Sequence, residues 1–177
     1  DRLYLCNFQD EDAEEVHDAV LQSAAHLSPH IGLLALRDEW EGNPQRMLDM
    51  VLGRGRGINK VELAIRDRQS SRFLGCVSVI RDHPDGGATM LGYWLLEDAL
   101  GQGYASEAVE ALTRLLLRTE AMVRLEIECD NVASLRLARR LSFVYEGACE
   151  VPWPGGESRP GERWLRRAVT VDHNNSP

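Results

Sequence analysis

Gly101-Gln102-Gly103-Tyr104-Ala105-Ser106-Glu107-Ala108 is a glycine-rich turn that follows an apolar run, Met90 to Leu96, and opens a helix. Two glycines let the backbone bend with no side chain in the way, and the first N–H groups of the helix behind them have no acceptor within it. A helix start of that kind attracts phosphate. From Gln102 to Ala121 the residues Ala105, Ala108, Val109, Leu112, Leu115 and Leu116 recur at three- and four-residue steps, which predicts an amphipathic helix. Glu107 and Glu110 come early in it and Arg114 and Arg118 late, an order that complements the helix dipole, and Glu110 and Arg114 form a pair four residues apart. The preceding Met90-Leu91-Gly92-Tyr93-Trp94-Leu95-Leu96 lacks polar alternation and predicts a central strand covered on both faces.

Three kinds of phosphate turn compete for this stretch. A Walker loop needs a lysine and a hydroxyl residue after its last glycine, and neither is in place. A dinucleotide fingerprint would accept Gly101 and Gly103, but Ser106 takes the third glycine's position and too little chain follows for two βαβ halves. The third kind fits. Gly92-Tyr93-Trp94-Leu95, the turn itself, then Asn131-Val132-Ala133-Ser134 and Leu141-Ser142-Phe143 together resemble the acetyl-coenzyme A-dependent N-acetyltransferases of the GNAT superfamily. Within it they are most similar to the branch of ribosomal-protein N-terminal acetyltransferases and several antibiotic acetyltransferases. The resemblance is clearest from Phe73 to Gly147, with His26-Leu27-Ser28-Pro29 an outlying match.

Composition is compatible with this. A chain of 177 residues with 44% hydrophobic content suits one domain, 1–177, with a sizeable core. Net charge is -8, and Lys60 is the one lysine among the basic residues. An acidic protein is a poor general nucleic-acid binder and a plausible host for cationic amines. No basic start with an apolar stretch behind it and no membrane-length run is visible, so a cytoplasmic protein is expected. The chain opens without methionine, which leaves open whether its N-terminus is complete. Cys6, Cys76, Cys129 and Cys149 lie in or beside strand-like runs and read as buried, reduced thiols. The five histidines lack metalloprotease spacing, and Pro29 makes a shared helix face for His26 and His30 doubtful, so no metal is expected.

Elsewhere the chain opens with a strand, Asp1 to Cys6. The acidic run Asp10 to Asp18 reads as the solvated face of a helix whose apolar stripe is Ala13, Val16, Val20 and Leu21. Helices are predicted at Leu33 to Glu39 and at Pro44 to Leu52, the latter capped by Asn43. Gly53-Arg54-Gly55-Arg56-Gly57 is read as a turn ahead of the strand at Val61, with a phosphate or RNA contact as the other reading. Strands follow at Val61 to Arg66, Phe73 to Ile80 and Ala88 to Leu96, with His83-Pro84-Asp85-Gly86-Gly87 as the last turn between them. Arg124 to Cys129 alternates as another strand, joined to the Met90 strand by a parallel crossover. A helix from Val132 to Leu141, a strand at Phe143 to Gly147, a long loop with Trp153, a strand at Trp164 to Val171 and a polar tail, Asp172 to Pro177, complete an α+β fold.

What the resemblance implies is specific. It implies a mixed sheet of about seven strands flanked by helices, with two parallel strands splaying apart so that the pantetheine arm of acetyl-CoA lies between them. Trp94, Leu95 and Leu96 would pair with that arm, and Gly101, Gln102, Gly103, Tyr104, Ala105 and Ser106 would cradle the pyrophosphate. Asn131 would contact the coenzyme, or simply cap its helix. Ser134 would stand near the departing sulfur as catalytic hydroxyl, either positioning or protonating it, with Tyr145 as another donor or as a packing residue. Arg136, Arg139 and Arg140 would reach the phosphates or else face solvent, while His26, His30 and Trp40 would border the acceptor or else be packing or surface residues, and Trp153 would roof the acceptor site.

The acceptor would be a primary amine, on a protein N-terminus or a small molecule such as an aminoglycoside or polyamine, with no nucleic acid or membrane partner, and the protein a monomer or homodimer. Three positions depart from the pattern: Met90 stands where many relatives carry a proton-accepting glutamate, Leu100 where Gln or Arg is frequent, and Ser142 where glycine is usual. Water, Glu126, Glu128 or His83 would then have to take the amine proton. The loss at Met90 also raises the alternative of a catalytically silent acyl-CoA-binding module.

Overall fold

The computed structural model describes residues 2–54, 59–81 and 88–168. The Gly55 to Gly57 part of the glycine-arginine stretch, the turn at His83 to Gly87 and the tail from Asp172 lie outside those residues.

Strand β1 (Leu3–Asn7) leads into helix α1 (Ala13–Gln22), the short helices α2 (Ala24–Leu27) and α3 (Gly32–Ala35), and α4 (Pro44–Leu52). Then come β2 (Lys60–Asp67), β3 (Phe73–Ile80), β4 (Thr89–Leu95), α5 (Tyr104–Leu116), β5 (Met122–Glu128), α6 (Val132–Arg140), β6 (Val144–Pro152) and β7 (Ser158–Arg167). The strands form one seven-stranded sheet in the order β1-β2-β3-β4-β5-β7-β6. Every pairing is antiparallel except that of β4 with β5, the crossover through α5.

Local chemistry explains most boundaries. Asn43 Oδ1 accepts the Arg46 N–H at 2.9 Å ahead of Pro44, and Gly53 in the left-handed region ends α4. In α5 the buried stripe is Ala108, Val109, Leu112 and Leu116, whereas Leu115 lies off it and is exposed. This helix is shorter than the periodicity predicts. Gly101 and Gly103 both have positive φ and hold residues 101–103 outside it, and after Leu116 the chain turns, the N–H groups of Thr119 and Glu120 donating to the Leu116 carbonyl.

The acidic run does more than face solvent. Asp12 and Glu15 bind the buried Arg66 guanidinium at 2.7 and 2.8 Å, tying the start of α1 to β2. Of the four cysteines, only Cys76 is buried and Cys129 is exposed, all four being free thiols. The expected long loop near the end is a tight turn, because β6 runs on to Pro152 and β7 starts at Ser158.

The strand covered on both faces is β3, buried from Phe73 through Val79. Strand β4 is buried at Thr89, Leu91 and Leu95 and partly open at Gly92, Tyr93 and Trp94. Its apolar run therefore reflects a cleft rather than full burial. No helix among the described residues is long and apolar enough to cross a membrane.

Candidate active site

The cleft begins where β4 and β5 part. They pair only at Thr89–Val123 and Met90–Arg124, and beyond Met90 the edge of β4 that faces β5 has no partner strand among the described residues. Two cavities fill the opening.

The first, of about 320 Å³, is bordered by Gly101, Gly103, Tyr104, Ala105 and Ser106 at the start of α5, by Trp94 and Leu95 of β4, and by Ala133, Ser134, Leu137 and Arg140 of α6. Gly101 at φ 72° and Gly103 at φ 82° fold the chain so that the first turn of α5 ends at the cavity. Its leading N–H groups have no acceptor in the helix. Two guanidinium groups add positive charge there. Arg2 donates to the Gln102 carbonyl at 3.0 Å, pairs with Glu107 and stacks on the Tyr104 ring, while Arg140 donates to Ser106 Oγ at 2.7 Å. Orphaned N–H groups beside fixed cations suit a phosphorylated ligand.

The second cavity, of about 410 Å³, lies on the other side of the splay. Its floor carries Glu62 and Ser78, its far wall Glu126 and Glu128 of β5, and its roof the β6–β7 turn with Trp153. The Arg159 guanidinium stacks 3.3 Å from the Trp153 ring centre, fixing that roof. Each carboxylate is held. Glu62 is ion-paired with Lys60 and accepts Ser78 Oγ at 2.7 and 2.8 Å and the Cys76 thiol at 2.7 Å. Burial, and then the Glu62 charge, push the Cys76 thiol well above its ordinary range, so it stays protonated and donates. Glu126 lies 3.6 Å from Arg124 and 3.2 Å from Arg163. Glu128 pairs with Arg159 at 3.0 Å and with His30. His30, Glu128 and Asp130 gather within 4.8 Å of one another, but the guanidinium on Glu128 opposes a divalent ion there.

His30, Ile31, Tyr93, Trp94, Asn131 and Ser134 border both cavities and form the seam between them. Asn131 Oδ1 caps α6 by accepting the Ser134 N–H at 3.1 Å, which fixes Ser134 at the seam. The buried Tyr93 hydroxyl faces Ser134 without a partner at strict hydrogen-bonding distance. Burial raises the Tyr93 pKa, and the Ser134 hydroxyl and the Arg140 charge offset part of that rise.

An acetyltransferase (GNAT) domain model matches residues 2–144. The chain belongs to the GNAT acetyltransferases. It is 32% identical over 94 residues to the ribosomal-protein-serine acetyltransferase of Escherichia coli (strain K12), a match that covers 52% of this chain and 51% of that protein. The chain thus matches about half the length of this curated relative. Among solved structures, a ribosomal-protein α-N-acetyltransferase in complex with coenzyme A shares 24% identity with a TM-score of 0.75, covering 94% of each chain. The microcin C7 self-immunity acetyltransferase in complex with acetyl-CoA and AMP shares 20% identity with a TM-score of 0.77, covering 94% of this chain and 93% of that one. At these identities the likeness speaks for the fold: this is a GNAT sheet, splayed between β4 and β5.

Of the positions expected at the coenzyme, Trp94, Leu95, Gly101, Gly103, Tyr104, Ala105, Ser106, Asn131 and Ser134 border the first cavity. Leu96 does not: it is buried, its N–H donates to the Leu74 carbonyl and its own carbonyl accepts from Ala99. Gln102 also stands aside, its side chain on the Asp98 carbonyl and its own carbonyl on Arg2. Trp40 is a core residue, with Nε1 donating to the Leu33 carbonyl and its ring edge-on to His17, whereas His26, His30 and Trp153 do reach the cavities. Tyr145 lies on outer strand β6, 51% exposed and packed on Trp164, so the tyrosine facing Ser134 is Tyr93. Arg140 meets the turn through Ser106, whereas Arg139 stacks on Trp164. Sequence reasoning missed Tyr93, Arg2 and Glu62. Tyr93 alone carried a signal, as the tyrosine of the Gly92-Tyr93-Trp94 motif.

Proposed function

We propose that this chain transfers acetyl from acetyl-CoA to a primary amine by direct attack in a ternary complex. The observation that carries the reading is the seam: a cavity suited to a phosphorylated carrier and a cavity suited to an amine meet at Tyr93, Trp94 and Ser134, beside the open edge of β4. The pyrophosphate rests on the N–H groups of residues 103–106, with Arg2 and Arg140 near it, and the amide-rich arm pairs along Trp94 and Leu95. A β4 N–H polarises the thioester carbonyl and steadies the oxyanion formed on attack. Ser134, with Tyr93 behind it, hydrogen-bonds the departing thiolate. The acceptor enters from the other cavity, whose carboxylates favour a cationic amine.

The similarity to a ribosomal-protein-serine acetyltransferase makes a protein N-terminal amine the first acceptor to try, ahead of aminoglycosides and polyamines. Titration calorimetry with coenzyme A tests the first cavity, and thiol release with each acceptor class, product mass measured, tests the second. Sustained acceptor-dependent release supports the enzyme. Binding without turnover supports a silent acyl-CoA-binding module, the reading that Met90 favours.

A further inference from the structure

We propose that Glu62 accepts the proton of the attacking amine through the hydroxyl of Ser78, across the side-chain-free strip above Gly92. The inference rests on the acetyl-transfer reading above. Glu62, Ser78 and Gly92 lie in one cross-strand row of β2, β3 and β4, the register pairing Glu62 with Ser78 and Ser78 with Gly92. Side chains in such a row share a face of the sheet, and all three residues border the acceptor cavity. A Cβ placed on Gly92 would meet Ser78 Cβ and Oγ at 3.6 Å, so glycine leaves the Ser78 hydroxyl open toward the residues that flank the seam.

A carboxylate that is only 6% exposed, on the floor of a cavity, is costly to keep unless it is paired or used. Among the described residues the charged and titratable neighbours of Glu62 come from its own strand and from β3. From its own strand Lys60 supplies the counter-charge, itself anchored by donating to the Val51 carbonyl of α4 at 3.3 Å. From β3 come the Ser78 hydroxyl and the protonated Cys76 thiol, both neutral donors. The other carboxylates of the cavity sit against guanidinium groups, Glu126 beside Arg124 and Arg163 and Glu128 beside Arg159. Glu62 accepts from the Ser78 hydroxyl, and Ser78 pairs with Gly92 in the same cross-strand row, which places Glu62 as the proton acceptor reached through that hydroxyl. In the step, the amine nitrogen bonds to the acetyl carbon as that carbon's bond to sulfur breaks. The amine proton passes to Ser78 Oγ while the Ser78 hydroxyl proton passes to Glu62, which afterwards returns it to solvent, and the departing thiolate takes a proton from solvent.

The test measures steady-state turnover against pH with an N-terminal-serine peptide, an aminoglycoside and a polyamine as acceptors, alongside calorimetry with coenzyme A. Glu62→Gln keeps the size of the side chain and one accepting oxygen, and removes its charge and basicity. The expected result is a fall in kcat of about a hundredfold with coenzyme affinity unchanged, and a rate that climbs with pH until the amine's own pKa instead of levelling earlier. Met90 lies in the adjacent row, level with Ile80 and Lys60 and on the same face as Gly92. Adding Met90→Glu to Glu62→Gln should therefore restore at least about tenfold of the lost rate and the earlier plateau. A Glu62→Gln enzyme with wild-type turnover and pH profile overturns the inference and leaves acetyl transfer standing. Wild-type protein that binds coenzyme A and turns over none of the three acceptors overturns both. If Glu62→Gln does not fold, Ser78→Ala decides, since it leaves the Glu62–Lys60 pair in place: a rate within twofold of wild type overturns the relay, and a loss of about tenfold or more with unchanged coenzyme affinity supports it.

Discussion

The two cavities that meet at the seam are built from different materials. The side proposed for the coenzyme is mostly main chain: the bend at Gly101 and Gly103, the first turn of α5 and the open edge of β4. The side proposed for the acceptor is mostly side chain, drawn from β2, β3, β5 and the β6–β7 turn, and its charges are arranged in pairs. A site made of backbone needs only particular torsions and can serve a whole family. A site made of side chains changes with every substitution, and on the proposed reading it is where acceptor choice would reside.

The largest effect expected on coenzyme binding breaks the first half of that contrast. Gly103→Val places a β-branched residue at φ 82°, in the left-handed region, where a Cβ would have room but the backbone would not be tolerated. At about 2 kcal/mol of strain, coenzyme affinity by calorimetry should drop roughly 30-fold. An unchanged affinity would mean that the bend does not hold the carrier. Ser134→Ala comes next and tests the seam: kcat should fall about tenfold while coenzyme affinity stays within twofold of wild type. Equal loss of both would assign Ser134 to binding alone.

The same contrast decides what could be read before folding. The bend at Gly101 and Gly103 and the helix start at Tyr104 were legible because such a turn leaves a local signature in consecutive residues. So was the parallel crossover, once an apolar strand, a turn, a helix and an alternating strand followed one another, whereas the splay came only as what the family resemblance implies. Glu62 was not legible: it lies in an alternating strand like many surface glutamates, and only register places it beside Ser78 and Gly92. Arg2 reaches Gln102 and Glu107 across about half the chain, a relation with no sequence signal. Leu96 failed for a local reason, since the chain leaves the β4 ladder there and spends its backbone groups on Leu74 and Ala99. Trp40 took the packing reading, since a large aromatic beside a cleft and one in the core look alike in sequence and only the fold tells them apart.

A smaller effect asks whether the main-chain site depends on how its helix is held. Arg166 of β7 pairs with Glu110 in the middle of α5, with a second contact at 3.3 Å, and also donates to the Leu141 carbonyl at the end of α6 at 3.0 Å. Burial disfavours the charged form of Glu110, but Arg166 and Arg114 outweigh it and hold the carboxyl below its usual range. The folded pKa is thus depressed, so the stabilisation is present at neutral pH and is lost as pH falls from the unfolded value, near 4.3, through the folded one. Glu110→Gln should cost about 1–2 kcal/mol at pH 7, lowering Tm by a few degrees. Its deficit against wild type should shrink in acid. A deficit that is the same at pH 7 and pH 3 would show that packing, not charge, fastens α5.

The smallest effect concerns the end of α6, which carries Ser134 at its other end. Ser142 N–H donates to the Arg139 carbonyl at 3.1 Å and Phe143 N–H to the Ala138 carbonyl at 3.0 Å, the bonding pattern of a left-handed helix terminus, and Ser142 duly has φ 60°. The relatives' glycine at this position fits that conformation without strain, whereas an L-residue is strained there by about 1–2 kcal/mol. Glycine also makes the unfolded chain freer, which takes back part of the gain. Ser142→Gly should therefore raise stability by only about 0.5–1 kcal/mol, seen as a higher urea midpoint with an unchanged slope. Phe143 is buried beyond the turn, so the strand that follows keeps its place and kcat should not move. A variant that gained stability but lost turnover would show that strain at this terminus positions Ser134, and the separation between a backbone-built coenzyme site and a side-chain-built acceptor site would then have to include α6 as a coupling between them.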